Sequence, residues 1–204
     1  MTKLIIATFL LSFDVLAFMP KSFEANFKQE NISKRKRRSR RAAPKIIEGK
    51  VQYKFPGHIR FDVTSKDNKL TYVSNNKTTW YYTPAYTEKE QGQVTIQTAK
   101  ANPLHLLFDV LKNGLKSNEF YNVKIDGEKA HLTFSKDFSS KLDIATAEIT
   151  FKEKKEFSHI QKIDLSYSRG KVVSFQFGGI KENVGLSSDV FNFKIPKNTK
   201  QIHR

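Results

Sequence analysis

The sequence predicts an α+β domain, a wide antiparallel sheet that curls, covered on one face by one or two helices. Three observations carry this. Roughly ten short segments alternate apolar and polar residues and are separated by turn residues, the pattern of an antiparallel meander. One stretch in mid-chain instead repeats its apolar residues every three and four positions, as a helix does. The 204 residues include 17 Phe and 7 Tyr but only 1 Trp, so much aromatic surface must be buried or must line a cavity. A sheet of this many strands does not stay flat.

In chain order, Phe23, Ala25 and Phe27 alternate with Glu24, Asn26 and Lys28, a strand that starts after Pro20. Val51, Tyr53 and Phe55 continue one side of a second strand begun at Ile47 and Gly49, and Pro56-Gly57 turns the chain. Ile59, Phe61 and Val63 then alternate with His58, Arg60 and Asp62. Strands follow at Leu70 to Ser74, Thr78 to Thr83 and Gln93 to Thr98. Asn102 suits a helix cap, Pro103 the first turn and Gly114 the end, with Leu104, Leu107, Phe108, Leu111 and Leu115 as the apolar stripe, widened by Leu106 and Val110. Asp126-Gly127 is a hairpin signal between Tyr121 to Ile125 and Ala130 to Ser135. Ile144 to Phe151, Ile160 to Tyr167, Val172 to Phe177 and Val190 to Ile195 complete the strands. A curled sheet with an aromatic face, closed on one side by an apolar helix, makes a natural lipid pocket.

The N-terminal region carries an export signal and a charge run. Lys3, the apolar run Leu4 to Phe13 and the small or apolar Val15-Leu16-Ala17 form an export signal over residues 1–17, leaving a single domain at 18–204. The competing reading is a buried N-terminal helix, which Asp14 favours. A basic loop is expected at 33–45, where Lys34, Arg35, Lys36, Arg37, Arg38, Arg40 and Arg41 repel one another and bury nothing. Either it is a solvated loop, or it docks electrostatically on an anionic membrane or an acidic partner. The net charge of +16 fits anionic partners generally. Nucleic acid is disfavoured, because an exported chain does not meet it.

Chemistry has few carriers here. With no Cys, disulfides, thiolate nucleophiles and an acylated N-terminal Cys are excluded. The five His residues show no metal-ligand spacing, and there is no Gly-x-Ser-x-Gly elbow and no phosphate-cradling Gly loop. The reading is therefore not an enzyme, with no cofactor and no metal.

Several segments resemble the periplasmic outer-membrane lipoprotein carrier family, LolA. They are Ser22-Phe23-Glu24-Ala25-Asn26-Phe27-Lys28-Gln29, then Phe55-Pro56-Gly57-His58-Ile59-Arg60-Phe61 within Gly49 to Val63, and Asn76-Lys77-Thr78-Thr79-Trp80-Tyr81-Tyr82-Thr83-Pro84. Asn102-Pro103-Leu104-His105-Leu106-Leu107 is similar to the start of the family's lid helix, and Phe191-Asn192-Phe193-Lys194-Ile195-Pro196 to its C-terminal stretch. The resemblance implies an unclosed half-barrel with helices as a lid. It implies a periplasmic carrier, a monomeric chaperone that takes acylated lipoproteins from an inner-membrane transporter to an outer-membrane acceptor. The lipid cavity is then expected from Phe23, Phe27, Val51, Tyr53, Phe55, Ile59, Phe61, Trp80, Tyr82, Leu104, Leu107, Phe108 and Leu111. Many members hold the lid with a basic residue just before the Pro; here Phe55 stands there, and Arg60 is the remaining lid or handover candidate. Arg35, Lys36, Arg37, Arg38, Arg40 and Arg41 are the electrostatic docking candidates. The other reading is a half-barrel sensor or scaffold that binds a protein partner through this basic loop.

Overall fold

The computed structural model describes residues 18–33, 46–65, 69–99 and 103–204. The expected export signal and the basic residues at 34–41 lie outside them. Among the described residues, β1 (Ser22–Ser33), β2 (Ile46–Lys54), β3 (His58–Val63), β4 (Leu70–Ser74), β5 (Thr78–Thr83) and β6 (Gly92–Thr98) form a meander. The helix α1 (Pro103–Leu111) follows, then β7 (Tyr121–Asp126), β8 (Lys129–Phe134), the helix α2 (Lys136–Leu142), β9 (Ile144–Phe151), β10 (Ile160–Tyr167), β11 (Lys171–Glu182) and β12 (Thr199–His203). All twelve strands share one sheet in the order β12-β6-β5-β4-β3-β2-β1-β11-β10-β9-β8-β7. The two meanders meet where β1 pairs with β11, and only β12 lies parallel to its neighbour, β6. The sheet ends on β7 and β12 and does not close.

The alternation read from the sequence decides which side of the sheet is the core. Phe23, Ala25, Phe27, Val51, Tyr53 and Ile59 are buried on the inner face. Their polar neighbours face outward and pair across strands, Lys28 with Glu48 at 2.8 Å and Lys50 with Glu24 at 2.6 Å. Two glycines are required by geometry. Gly57 turns between β2 and β3 at φ +67, which side-chain-bearing residues rarely adopt. At Gly49 a Cβ would sit 2.1 Å from the Asp62 carbonyl oxygen, so only glycine lets β2 approach β3 there.

The C-terminal strand expected at Val190 to Ile195 is instead a single helical turn, Ser188–Phe191, followed by an extended strap. The strap crosses the outer face of β3 to β5. Phe191 is fully buried beneath it, its ring 5.4 Å from that of His58, and the Asn75 side chain donates to the Phe191 carbonyl. Phe191 and its neighbours pack on a sheet surface and make no ladder. The actual last strand, β12, comes later. Periodicity does not locate the second helix, α2, because seven residues make too short a stripe.

Candidate functional site

The inner face has two ends of different character. At one end α1 lies against the sheet. Leu107, Phe108, Val110 and Leu111 are buried, as the stripe predicts. The Phe108 ring meets Phe23 edge-on at 5.0 Å and Tyr53 at 5.4 Å, and Phe157 stands 4.8 Å from Phe23. Between Phe23, Phe108, Phe157, Ile160, Ile163, Phe177 and Ile180 no space is left that would hold a water molecule.

Polar contacts fix how α1 sits. The Asp109 carboxylate accepts from the Tyr53 hydroxyl at 2.5 Å and from the Gly57 N–H at 3.2 Å. His105 Nε2 lies 3.6 Å from the other Asp109 oxygen, one helical turn away. Burial holds His105 below its ordinary value of 6.5; Asp109 opposes the shift and nearby His58 adds to it. Burial, and then the bond to Asp109, push the Tyr53 hydroxyl far above the ordinary tyrosine range. Past the helix, the Tyr121 hydroxyl donates to the Gly114 carbonyl at 2.6 Å, and Lys112 stands over the Phe55 ring at 4.7 Å. Sequence reasoning misses Asp109, although it is the only acid in α1 and follows His105 by four residues.

At the other end of the same face is a hollow of about 250 Å³. Phe27, Phe61, Tyr72, Tyr81, Leu165 and Phe175 give it apolar walls, with Gln29 and Lys171 as its polar lining. The strands continue uninterrupted from the packed end into this one. Phe27 meets Phe61 edge-on at 5.5 Å, and Phe61 lies 6.1 Å from Tyr72.

The expected cavity residues divide accordingly. Phe27 and Phe61 line the hollow. Phe23, Val51, Tyr53, Ile59, Leu107, Phe108 and Leu111 share its face but are buried in the packed end. Leu104 falls in the first turn of α1, and its side chain is outside what the structure describes. Three residues are elsewhere. Trp80 and Tyr82 face outward: the inner residue of that triplet is Tyr81, paired with Tyr72 across the ladder, and Tyr82 lies 5.2 Å from Phe193 of the C-terminal strap. Phe55 sits exposed in the turn beneath Lys112. Arg60 also faces outward, bound to Asp62 at 2.6 Å and donating to the Val190 carbonyl, so it pins the strap and does not touch α1. The polar hold on the helix comes instead from an acid on the helix itself.

No helix among the described residues is long and apolar enough to cross a membrane. Among solved structures, an uncharacterized conserved protein from Thermus thermophilus superposes with a TM-score of 0.50 at 10% identity, over 92% of this chain and 93% of that one. A LolA superfamily protein from Nitrosomonas europaea gives 0.47 at 8% identity, over 84% and 90%. A DUF1329 family protein from Desulfovibrio piger gives 0.42 at 10%, over 84% and 90%. No curated protein matches the chain significantly. The model of the outer membrane lipoprotein carrier protein LolA matches residues 19–194, nearly all of the half-barrel described above, and the chain belongs to that family.

Proposed function

We propose that the protein is a periplasmic carrier that shelters acyl chains of lipoproteins between the inner and outer membranes. The observation that carries this is the uneven filling of one continuous apolar face: a hollow at one end, a short helix packed over the other. The hollow is just below the roughly 300–1,000 Å³ of ordinary ligand pockets. It takes part of a tail as it stands, and more once α1 swings away. The energies allow such an exchange. Withdrawing four buried side chains of α1 costs roughly 6–12 kcal/mol, at about 1.5–3 each. A dozen methylenes entering in their place return roughly 10 kcal/mol, at about 0.8 each. Cargo is then held weakly enough to be passed on. An inner-membrane transporter as donor and an outer-membrane acceptor complete the cycle, and the residues 1–17 supply export.

Native mass spectrometry of the protein from the periplasm tests this, together with uptake of a fluorescent fatty acid and release of lipoproteins from spheroplasts. Bound lipid and uptake are expected, and Leu70→Trp, which fills the hollow from its wall, should block uptake while the protein stays folded. Empty protein that neither takes up the probe nor releases lipoprotein would overturn the reading.

A further inference from the structure

Among the described residues, six large hydrophobic side chains are exposed: Ile32, Ile46, Phe55, Tyr81, Tyr86 and Ile125. Four of them gather at the end where the hollow opens. The strand register fixes this end. Ile32 is next to last in β1, Ile46 is first in β2, and Tyr81 is near the end of β5, with Tyr86 in the loop that follows. The hollow's Val63, Leu70, Tyr167 and Lys171 stand at the same ends of β3, β4, β10 and β11. The exposure is substantial, 40% at Ile32, 52% at Ile46, 48% at Tyr81 and 75% at Tyr86. Scattered apolar residues need no explanation, but apolar residues gathered around the opening of an apolar hollow do.

The described turns and strand ends there also carry Lys69, Lys89, Arg169, Lys171 and Lys197, against Glu30, Glu88, Glu90 and Asp143. Tyr and Ile beside Lys and Arg is the composition of a surface that settles into the headgroup layer of a bilayer. Each cation near an anionic surface strengthens the attraction.

We propose that this rim docks the protein directly on an anionic lipid surface, with the hollow facing the bilayer. The occupant is the membrane itself, selected by charge complementarity with a chain of net charge +16. This goes beyond the carrier reading, since a cavity can shelter a tail without its rim ever meeting lipid.

Co-flotation of the full chain with vesicles tests it, using phosphatidylcholine alone and phosphatidylcholine with a third phosphatidylglycerol. Flotation is expected only with the anionic vesicles and should fall steeply as salt rises. Ile46→Asp with Tyr86→Asp, and separately Lys69→Glu with Arg169→Glu, should each lower the bound fraction about tenfold. Ile125→Asp alters a comparably exposed residue at the opposite end of the sheet, in β7, and should leave binding unchanged. None of these residues lines the hollow, so uptake of the fluorescent fatty acid, measured in parallel, should persist in all of them. Equal binding to both vesicle types, or full binding by the two rim variants, overturns the proposal. So does an absence of vesicle binding together with capture of an acidic protein. In each case the uptake assay still reads the carrier function by itself.

Discussion

The packed and hollow ends of the inner face are made from the same strands with the same alternation, yet one is solid and the other is not. Phe23 and Phe27 lie two pleats apart on β1, and both are buried. Phe23 is covered by Phe108 from α1 and by Phe157 from the turn before β10. Among the described residues, the rings that Phe27 meets belong to the sheet itself, Phe61 and Phe175. What separates them is the reach of a nine-residue helix. At 1.5 Å per residue α1 spans about 14 Å, roughly four residues of strand, and covers one end only. Aromatic content makes an apolar face; the length of the covering element sets how much of it stays open.

The sharpest way to break this contrast is to cut the same ring from each end. Phe108→Ala should cost about 3–5 kcal/mol, because its place is enclosed on every side. Phe61→Ala, at the wall of the hollow, should cost under about 2 kcal/mol, because its atoms already border open space. Paired thermal or urea denaturation reads the difference, and equal losses would mean that the two ends are equally packed.

A smaller effect should come from the polar hold on α1. Tyr53→Phe removes a hydrogen bond to the Asp109 carboxylate, about 1.5–3 kcal/mol for a charged acceptor. Amides of 103–111 should then exchange faster while those of β1 do not, since the helix is loosened and the sheet is not. Uniform acceleration along the chain would show that the bond supports the whole fold and is not specific to the lid.

The smallest effect is one of pH. His105 titrates lower in the folded protein than its ordinary 6.5. Its neutral form is therefore the one that the packed end accommodates. The unfolded chain takes up the proton first as pH falls through about 6.5, so stability is complete above that value and declines below it. The slope from this group is at most one proton, about 1.4 kcal/mol per pH unit. His105→Gln should flatten the stability curve in that window, measured by denaturation between pH 7 and pH 5. An unchanged slope would place the acid sensitivity elsewhere.

Much of this is legible in the chain. Alternation places Phe23, Phe27, Tyr53, Ile59 and Phe61 on one face, because each of their strands has polar residues on the other. The α1 stripe names the residues that form its buried face. The aromatic triplet Trp80-Tyr81-Tyr82 is misassigned for a physical reason. Alternation works when one face meets water, and the outer face of β5 meets the C-terminal strap instead, where Tyr82 finds Phe193. Either parity therefore buries aromatic surface, and the triplet offers no polar residue to break the tie. Arg60 does lie opposite Phe61, as alternation has it, yet its hold on the strap depends on the Val190 carbonyl, 130 residues away.

By itself the sequence determined most strands of the sheet, the inner face of β1 to β3 and the amphipathic helix, since each follows from periodicity within a few neighbouring residues. Tertiary structure alone decided how far α1 reaches along that face, that Asp109 would meet Tyr53 and Gly57, and that the exposed apolar residues would gather at the open end. Those outcomes depend on strand register and on pairings such as β1 with β11, in which residues more than a hundred positions apart become neighbours and local pattern carries no information.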